Sequence, residues 1–210
     1  MQIAKKIIKI SFYLFQQNLL ILLVCLMTLS QNSYAKQKLS KSEQKMKTEI
    51  ALLAGGCFWG VEELFRQQKG VTNTFVGYTG GKTDNAHYEI VKTGVTGHAE
   101  AIQIEFNPEL TTFEKLLLFF FKMHDPTTPN QQGNDKGTQY RSAIFYSNEE
   151  QKQVAEKVIA RIEKSGAWKK PIVTEILPAG KFWPAEEYHQ DYLQKNPGGY
   201  TCHYVRKIDF

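Results

Sequence analysis

A strand that runs straight into a helix through two glycines and a cysteine constrains this chain more than any other stretch of it. Residues 50–54 are apolar and read as a short buried strand, and Val61, Leu64 and Phe65 recur at the spacing of one helical face. Between them lies Gly55-Gly56-Cys57-Phe58-Trp59-Gly60. The glycines permit backbone angles that other residues reach only with strain, and they let a ligand approach the main chain. Cys57 then falls in the first helical turn, where unpaired N–H groups and the positive end of the helix dipole favour a thiolate over a thiol. A buried cysteine is more often inert packing. Packing alone does not require a glycine on each side, so the sequence favours a nucleophile here.

The 210 residues suit one globular domain behind an N-terminal leader. Lys5, Lys6 and Lys9 precede an apolar stretch over residues 19–29, and Ser33-Tyr34-Ala35 places small residues where a signal peptidase reads them. Residues 1–35 are therefore expected to be a signal peptide, 36–48 a flexible linker with little apolar content, and 49–210 the functional domain. The competing reading is an uncleaved membrane anchor over residues 7–29. Either way the domain is expected in an exported compartment, periplasmic or secreted. The leader holds three lysines and no acids, so its removal lowers the formal charge from +5 to +2. Much of the basicity thus belongs to the leader, and no nucleic-acid surface is expected. Two cysteines remain, Cys57 and Cys202. They read either as a permanent disulfide or as a redox pair that opens and closes, and their separation leaves both open.

Further strands are expected over 72–78, 99–106, 140–146 and 172–176, from alternation and β-branched content. Thr111 with Glu114 has the capping-box spacing ahead of a helix carrying Leu116, Leu117, Phe120 and Phe121. Ser147 with Glu150 repeats it before Val154, Val158 and Ile162. The tail over 195–210 reads as irregular and mobile. Few strands with two or three long helices predict an α+β two-layer arrangement, helices packed on a sheet.

Within the strand at 99–106, side chains alternate faces, so Glu100 shares a face with Ile102, Ile104 and Phe106. A carboxyl at the end of an apolar stripe is desolvated, which raises its pKa and lets it donate a proton near neutral pH. The opposing reading leaves Glu100 at a strand edge, in solvent. Gly77-Tyr78-Thr79-Gly80-Gly81-Lys82-Thr83 lacks one residue of a phosphate loop and reads as a turn. His98-Ala99-Glu100 opens like a zinc deaminase signature but lacks its cysteine half, and no metal is expected. The five histidines are dispersed and read as surface or satisfied polar residues. Asp135 and Tyr140 lie in a polar loop that feeds a strand, where binding residues often sit, yet both could simply cap it; Tyr88 is similarly ambiguous. Another cysteine chemistry is open at this point, an acyl-transfer hydrolase using Cys57, His98 and Glu100. A non-enzymatic exported module held by a fixed disulfide is open as well.

Taken in order, Gly55 to Gly60, Gly77 to Gly81, Gly97-His98-Ala99-Glu100, His124-Asp125-Pro126, Gln132 to Asp135, Gly137 to Ser142, His189-Gln190 and Lys195-Asn196-Pro197 resemble the A type of peptide methionine sulfoxide reductase. The resemblance spans nearly all of residues 50–202. It implies an α+β two-layer sandwich with a mixed sheet and a ferredoxin-like core. It implies that Cys57 attacks the sulfur of methionine S-sulfoxide, free or in proteins, leaving a sulfenic acid that Cys202 resolves as a disulfide. A thioredoxin-type reductant would restore both thiols, with no metal or organic cofactor, in a monomer. Glu100 would protonate the sulfoxide oxygen, Tyr88 and Tyr140 would donate hydrogen bonds to it, and Phe58 and Trp59 would hold the methyl and thioether groups. Asp135 would order the loop or the substrate backbone. One departure is visible: many relatives place the resolving cysteine directly after a Gly-Tyr pair, whereas Thr201 separates Tyr200 from Cys202 here.

Overall fold

A computed structural model describes residues 47–210; the expected signal peptide and nearly all of the expected linker lie outside them. Among the described residues no helix is long and apolar enough to cross a membrane.

Strand β1 (Glu49–Gly55) leads through Cys57 into α1 (Phe58–Arg66), followed by β2 (Val71–Thr79), a single helical turn α2 (Tyr88–Val91), and β3 (Ala99–Phe106). Helix α3 (Phe113–Met123) follows, then the short hairpin β4 (Gln131–Gln132) and β5 (Asp135–Lys136), and a 3-10 turn at Thr138–Tyr140. Strand β6 (Ser142–Tyr146), helix α4 (Glu149–Ser165), β7 (Glu175–Pro178), β8 (Trp183–Pro184) and the short α5 (Tyr192–Lys195) complete the chain.

The six-stranded sheet has the order β7-β6-β1-β3-β2-β8. Its four central strands are antiparallel, and β7 joins β6 in parallel, so the sheet is mixed. A strand, α1, two strands, α3 and a strand, with β1 and β3 side by side at the centre, make the ferredoxin-like split arrangement. Alternation along β1 and β3 sends Ala51, Leu53, Ile102, Ile104 and Phe106 to the face covered by the helices. There they meet Val61 and Phe65 of α1, Leu116, Leu117, Phe120 and Phe121 of α3, and Ala155, Val158 and Ile162 of α4. Each fully buried phenylalanine or leucine of this set contributes roughly 1.5–3 kcal/mol. The opposite face is lined by smaller residues, Ala54, Ala99, Ala101 and Ala143, with Leu52 and Phe145.

Several boundaries differ from the sequence expectation. The cap of α3 is Thr112, whose side chain accepts from the N–H of Lys115, and not Thr111. The cap of α4 is Asn148, accepting from Gln151, and not Ser147. In both, a neighbouring polar residue carried the same signal one place early. Strand β6 starts at Ser142, because Tyr140 belongs to the 3-10 turn, and β7 begins at Glu175 beside Ala143 instead of at 172. The tail beyond α5 is irregular as expected but held in place, so its expected mobility is not what the contacts show. Arg206 donates its N–H to the Lys122 carbonyl and lies against the rings of Trp168 and Tyr204, while Arg161 reaches the Phe210 carbonyl.

Candidate active site

Cys57 is the N-cap residue of α1, at φ −52° and ψ 119°, with the glycine turn behind it. Gly56 sits at φ +99°, and a Cβ there would run into Gln132. The turn is therefore pressed against the β4 loop, and only glycine fits. Across the sheet, Glu100 pairs with Tyr78 on the neighbouring strand and faces α1. The N–H of Phe58, one of the unpaired donors of the helix start, donates to the Glu100 carboxyl at 3.1 Å. The nucleophile turn and the carboxyl are thus joined directly.

Glu100 is 3% exposed. Burial pushes its pKa up to about 8, with the Phe58 hydrogen bond opposing and the charge of Asp135 assisting. The carboxyl therefore holds its proton at neutral pH, as its place on the apolar face of β3 predicts. Cys57 departs from expectation. It is 7% exposed, and burial, followed by the negative charge available to Glu100, raises its pKa far above the usual thiol range. The Trp59 backbone N–H works the other way and is outweighed. In this unliganded form the group is a thiol, because the helix terminus stabilises charge less than burial penalises it.

Tyr88, at the start of α2, and Tyr140, at the end of the 3-10 turn, both lie within electrostatic reach of Glu100 and Cys57. Burial and then the charge of Glu100 raise both phenols, and Cys57 acts on each as well. Trp59 stacks on Tyr192 with centroids 3.7 Å apart, and its indole N–H donates to His189 Nδ1 at 3.0 Å. Phe58 is only 1% exposed, enclosed by Tyr78 and His189, so its ring backs the site instead of lining it.

Asp135 and Cys202 meet. One carboxylate oxygen of Asp135 accepts the Cys202 thiol at 3.3 Å and the Tyr200 hydroxyl at 3.1 Å. Both cysteines are free. Their proximity is felt electrostatically, since Cys202 is among the groups acting on the Cys57 thiol. His98 is excluded as a partner of Cys57: its Nδ1 accepts from the Gly81 N–H and its Nε2 meets the Thr83 carbonyl, which fixes the glycine-rich turn at 77–83. That arrangement leaves the hydrolase reading without a base. No cluster able to hold a metal is present among the described residues.

Four of the five histidines, His98, His124, His189 and His203, are buried, and His87 is exposed. Each is tied to the backbone or to a ring of the site by at least one nitrogen. Sequence reasoning also missed Glu186, which accepts from the Tyr88 N–H at 2.9 Å and from the Tyr78 hydroxyl at 3.0 Å and so sets α2 against the sheet. Gln190, quoted only within the resemblance, bonds both backbone groups of Val76 within β2. Glu186 carried no local signal, because its partners lie about a hundred residues away in sequence.

Comparison with known proteins yields one consistent result. The family model described as peptide methionine sulfoxide reductase matches residues 49–209. The chain is 56% identical over 159 residues to a peptide methionine sulfoxide reductase MsrA of Mycolicibacterium paratuberculosis, covering 76% of this chain and 91% of that protein. Among solved structures, reduced Mxr1 from Saccharomyces cerevisiae is similar with a TM-score of 0.72 and 41% identity, covering 78% of this chain and 95% of that one. A structure of Mxr1 in complex with Trx2 is similar at a TM-score of 0.53 and 26% identity, covering 78% and 94%.

Proposed function

Because the chain belongs to the peptide methionine sulfoxide reductase family, we propose that Cys57, Glu100 and Cys202 carry out its reaction, with Trp59, Tyr88 and Tyr140 receiving the sulfoxide and Phe58 and Asp135 supporting them. The protein is an oxidoreductase of the A type, reducing methionine S-sulfoxide with thiols and recycled by thioredoxin. The observation that carries the residue assignment is the buried Glu100 carboxyl, hydrogen-bonded by the N–H of the turn that bears Cys57.

The proton inventory follows from those two groups. Glu100 enters with its proton and delivers it to the sulfoxide oxygen as the Cys57 sulfur bonds to the substrate sulfur. The thiol proton then returns to the Glu100 carboxylate. The hydroxyl passes to the Cys57 sulfur, the new sulfur–sulfur bond breaks, and methionine leaves behind a sulfenic acid. With Glu100 neutral, the second cause of the raised Cys57 pKa is absent, which eases loss of the thiol proton when it is needed. The hydroxyls of Tyr88 and Tyr140, which make no hydrogen bond among the described residues, supply donors for the oxygen as charge gathers on it. The Trp59 indole, held by His189 and Tyr192, offers the aromatic face for the thioether, worth about 0.3–1.5 kcal/mol per contact.

Attack of the Cys202 thiol on the sulfenic acid gives a disulfide and water, and a reduced dithiol partner then reopens it. The sequence of the leader supports an exported enzyme, so the reductant would be an exported thioredoxin-like protein. The test is incubation of each epimer of a blocked methionine sulfoxide with the protein, thioredoxin and its reducing system, following methionine chromatographically. Consumption of the S epimer alone is expected; no turnover of either epimer would overturn the reading.

A further inference from the structure

His203 follows Cys202 directly and has no role in the reaction as set out so far. His203 is 7% exposed, and its ring is wedged between the segment that carries Cys202 and the turn that carries Cys57. Nε2 lies 2.7 Å from the carbonyl oxygen of Gly55. A carbonyl only accepts, so Nε2 carries the ring proton and the neutral imidazole presents its lone pair at Nδ1. That nitrogen lies 3.6 Å from the Cys202 sulfur. The tautomer is therefore imposed by the residue two places before Cys57. Its backbone N–H is held by Thr201 Oγ1 at 3.2 Å, so Thr201 helps to seat the ring.

The cysteine motif is shaped to receive this ring. A Cβ on Gly60 would collide with Thr201 Oγ1 and His203 Nδ1, and one on Gly56 would come within 3.3 Å of His203 Nε2. The Cys202 thiol has one proton and two acceptors, the Asp135 carboxylate and His203 Nδ1. The same Asp135 oxygen already takes the Tyr200 hydroxyl. Burial and the bond and charge of Asp135 push Cys202 up to about 12, so its proton must leave during attack and not before it.

We propose that His203 is the base of the resolving step, accepting the Cys202 proton at Nδ1 as that sulfur bonds to the sulfur of the Cys57 sulfenic acid. This rests on the function proposed above. In the step, the sulfur–sulfur bond forms and the sulfur–oxygen bond of Cys57 breaks. The departing hydroxyl takes the Glu100 proton and leaves as water. Cys57 is reduced and Cys202 oxidised by equal amounts, so no outside oxidant enters. The imidazolium then returns a proton through solvent to the Glu100 carboxylate. Asp135, facing the ring, favours the transient cation, whereas Arg206 and His124 oppose it.

The test is a rapid-quench single turnover that counts methionine released and free thiols lost in the native protein and in His203→Gln. Glutamine keeps a donor for Gly55 and removes the basic nitrogen. Thiol loss is expected to slow by about 100-fold relative to methionine release, leaving a sulfenic acid on Cys57 that a dimedone-type reagent traps. Thiol loss that keeps pace with methionine release in the variant overturns the proposal. Absence of methionine from the native protein would instead defeat the proposed function, a distinct result. If His203→Gln does not fold, the pH profile of thiol loss in the native protein and in Asp135→Asn decides. Burial lowers His203 to about 4, so its free base persists and a flat profile is expected in both proteins from about pH 5 to 7. A tenfold rise per pH unit in either would mean that the base is not His203.

Discussion

The backbone N–H of Phe58 donates to the carboxyl of Glu100 across 3.1 Å, linking residues 42 positions apart in sequence. One end of the bond belongs to the first turn of α1, which Cys57 caps, and the other to β3 at the sheet centre. The acid is thereby fixed to the nucleophile's own turn. Its pKa of about 8 predicts the pH dependence of methionine release. In the proposed reaction the protonated carboxyl is the active form, so the rate should be level below about pH 8 and fall above it. Glu100→Gln should lose about 10²- to 10⁴-fold in rate, and the descending limb should vanish with it. Single-turnover rates at a series of pH values check both, and an unchanged rate in the variant removes the acid from the reaction.

The same carboxyl should weaken the fold. Its pKa is raised from 4.5 to about 8 by burial, so the folded protein keeps a proton that the unfolded chain releases. Stability is unaffected below about pH 4.5, falls as pH rises toward 8, and levels off above, by about 1.4 kcal/mol per unit at the steepest. Glu100→Gln does not titrate. Its stability advantage over the native protein should therefore grow across that window to a few kcal/mol, as measured by urea unfolding. Glu62, raised to about 7 by burial and by Asp191, titrates in both proteins and cancels from the difference. A constant difference from pH 4 to 9 would show that Glu100 is not held neutral.

Cys57 is where the sequence and the structure part. The helix start was legible from the glycines and the apolar spacing, and it does place Cys57 at the cap. Burial was not legible, because the walls come from the β4 loop and the tail, far away in the chain. Iodoacetamide at neutral pH should therefore modify Cys57 more slowly than an unfolded cysteine peptide. Above about pH 8, where the Glu100 carboxyl has lost its proton, Glu100→Gln should react faster than the native protein, since the carboxylate charge that opposes ionisation is gone. Mass spectrometry of the labelled peptide reads this directly. Labelling of native Cys57 faster than the peptide would mean that the helix terminus wins after all.

The same division runs through the rest of the molecule. Strand β3 was readable to the residue, since alternation and the Glu100 position belong to one continuous segment. The caps Thr112 and Asn148 were each missed by one residue, because Thr111 and Ser147 offer the same chemistry at adjacent positions. The tail has no periodicity, and its order comes from single side chains: His203 on Gly55, Arg206 on Lys122, and Phe210 under Arg161. Such contacts join residues some 50 to 150 positions apart and leave no local mark.

A buried partner sets the orientation of the Trp59 ring, the proposed substrate surface. Its indole N–H meets His189 Nδ1, and His189 Nε2 has no hydrogen-bond partner and lies 3.9 Å from Glu186. Trp59→Phe keeps an aromatic ring but strands the second nitrogen of a histidine that is 2% exposed. The cost to stability is expected at about 1–3 kcal/mol. Loss of ring orientation should raise KM for a blocked sulfoxide more than it lowers kcat, because the thioether contact acts on ground state and transition state alike. Steady-state kinetics check the split, and an equal fall in kcat and kcat/KM would assign Trp59 to the transition state alone.

In the proposed cycle Cys202 separates the reductive half from its renewal. In the reduced protein its thiol is held by Asp135 and lies beside His203, and a Cβ on Gly133 would come within 3.0 Å of the Cys202 Cβ. The segment is therefore seated before any sulfenic acid forms. Cys202→Ser keeps the size of the side chain and its bond to Asp135, so the site around Cys57 and Glu100 should form normally. One methionine per protein should be released at close to the native rate, after which turnover with thioredoxin should stop, because a hydroxyl cannot trap the sulfenic acid as a disulfide. A small dithiol such as dithiothreitol should restore slow turnover by attacking the sulfenic acid itself. Quenched-flow counting of methionine against protein distinguishes the outcomes, and sustained thioredoxin-driven turnover by Cys202→Ser would show that Cys57 is renewed without a second cysteine.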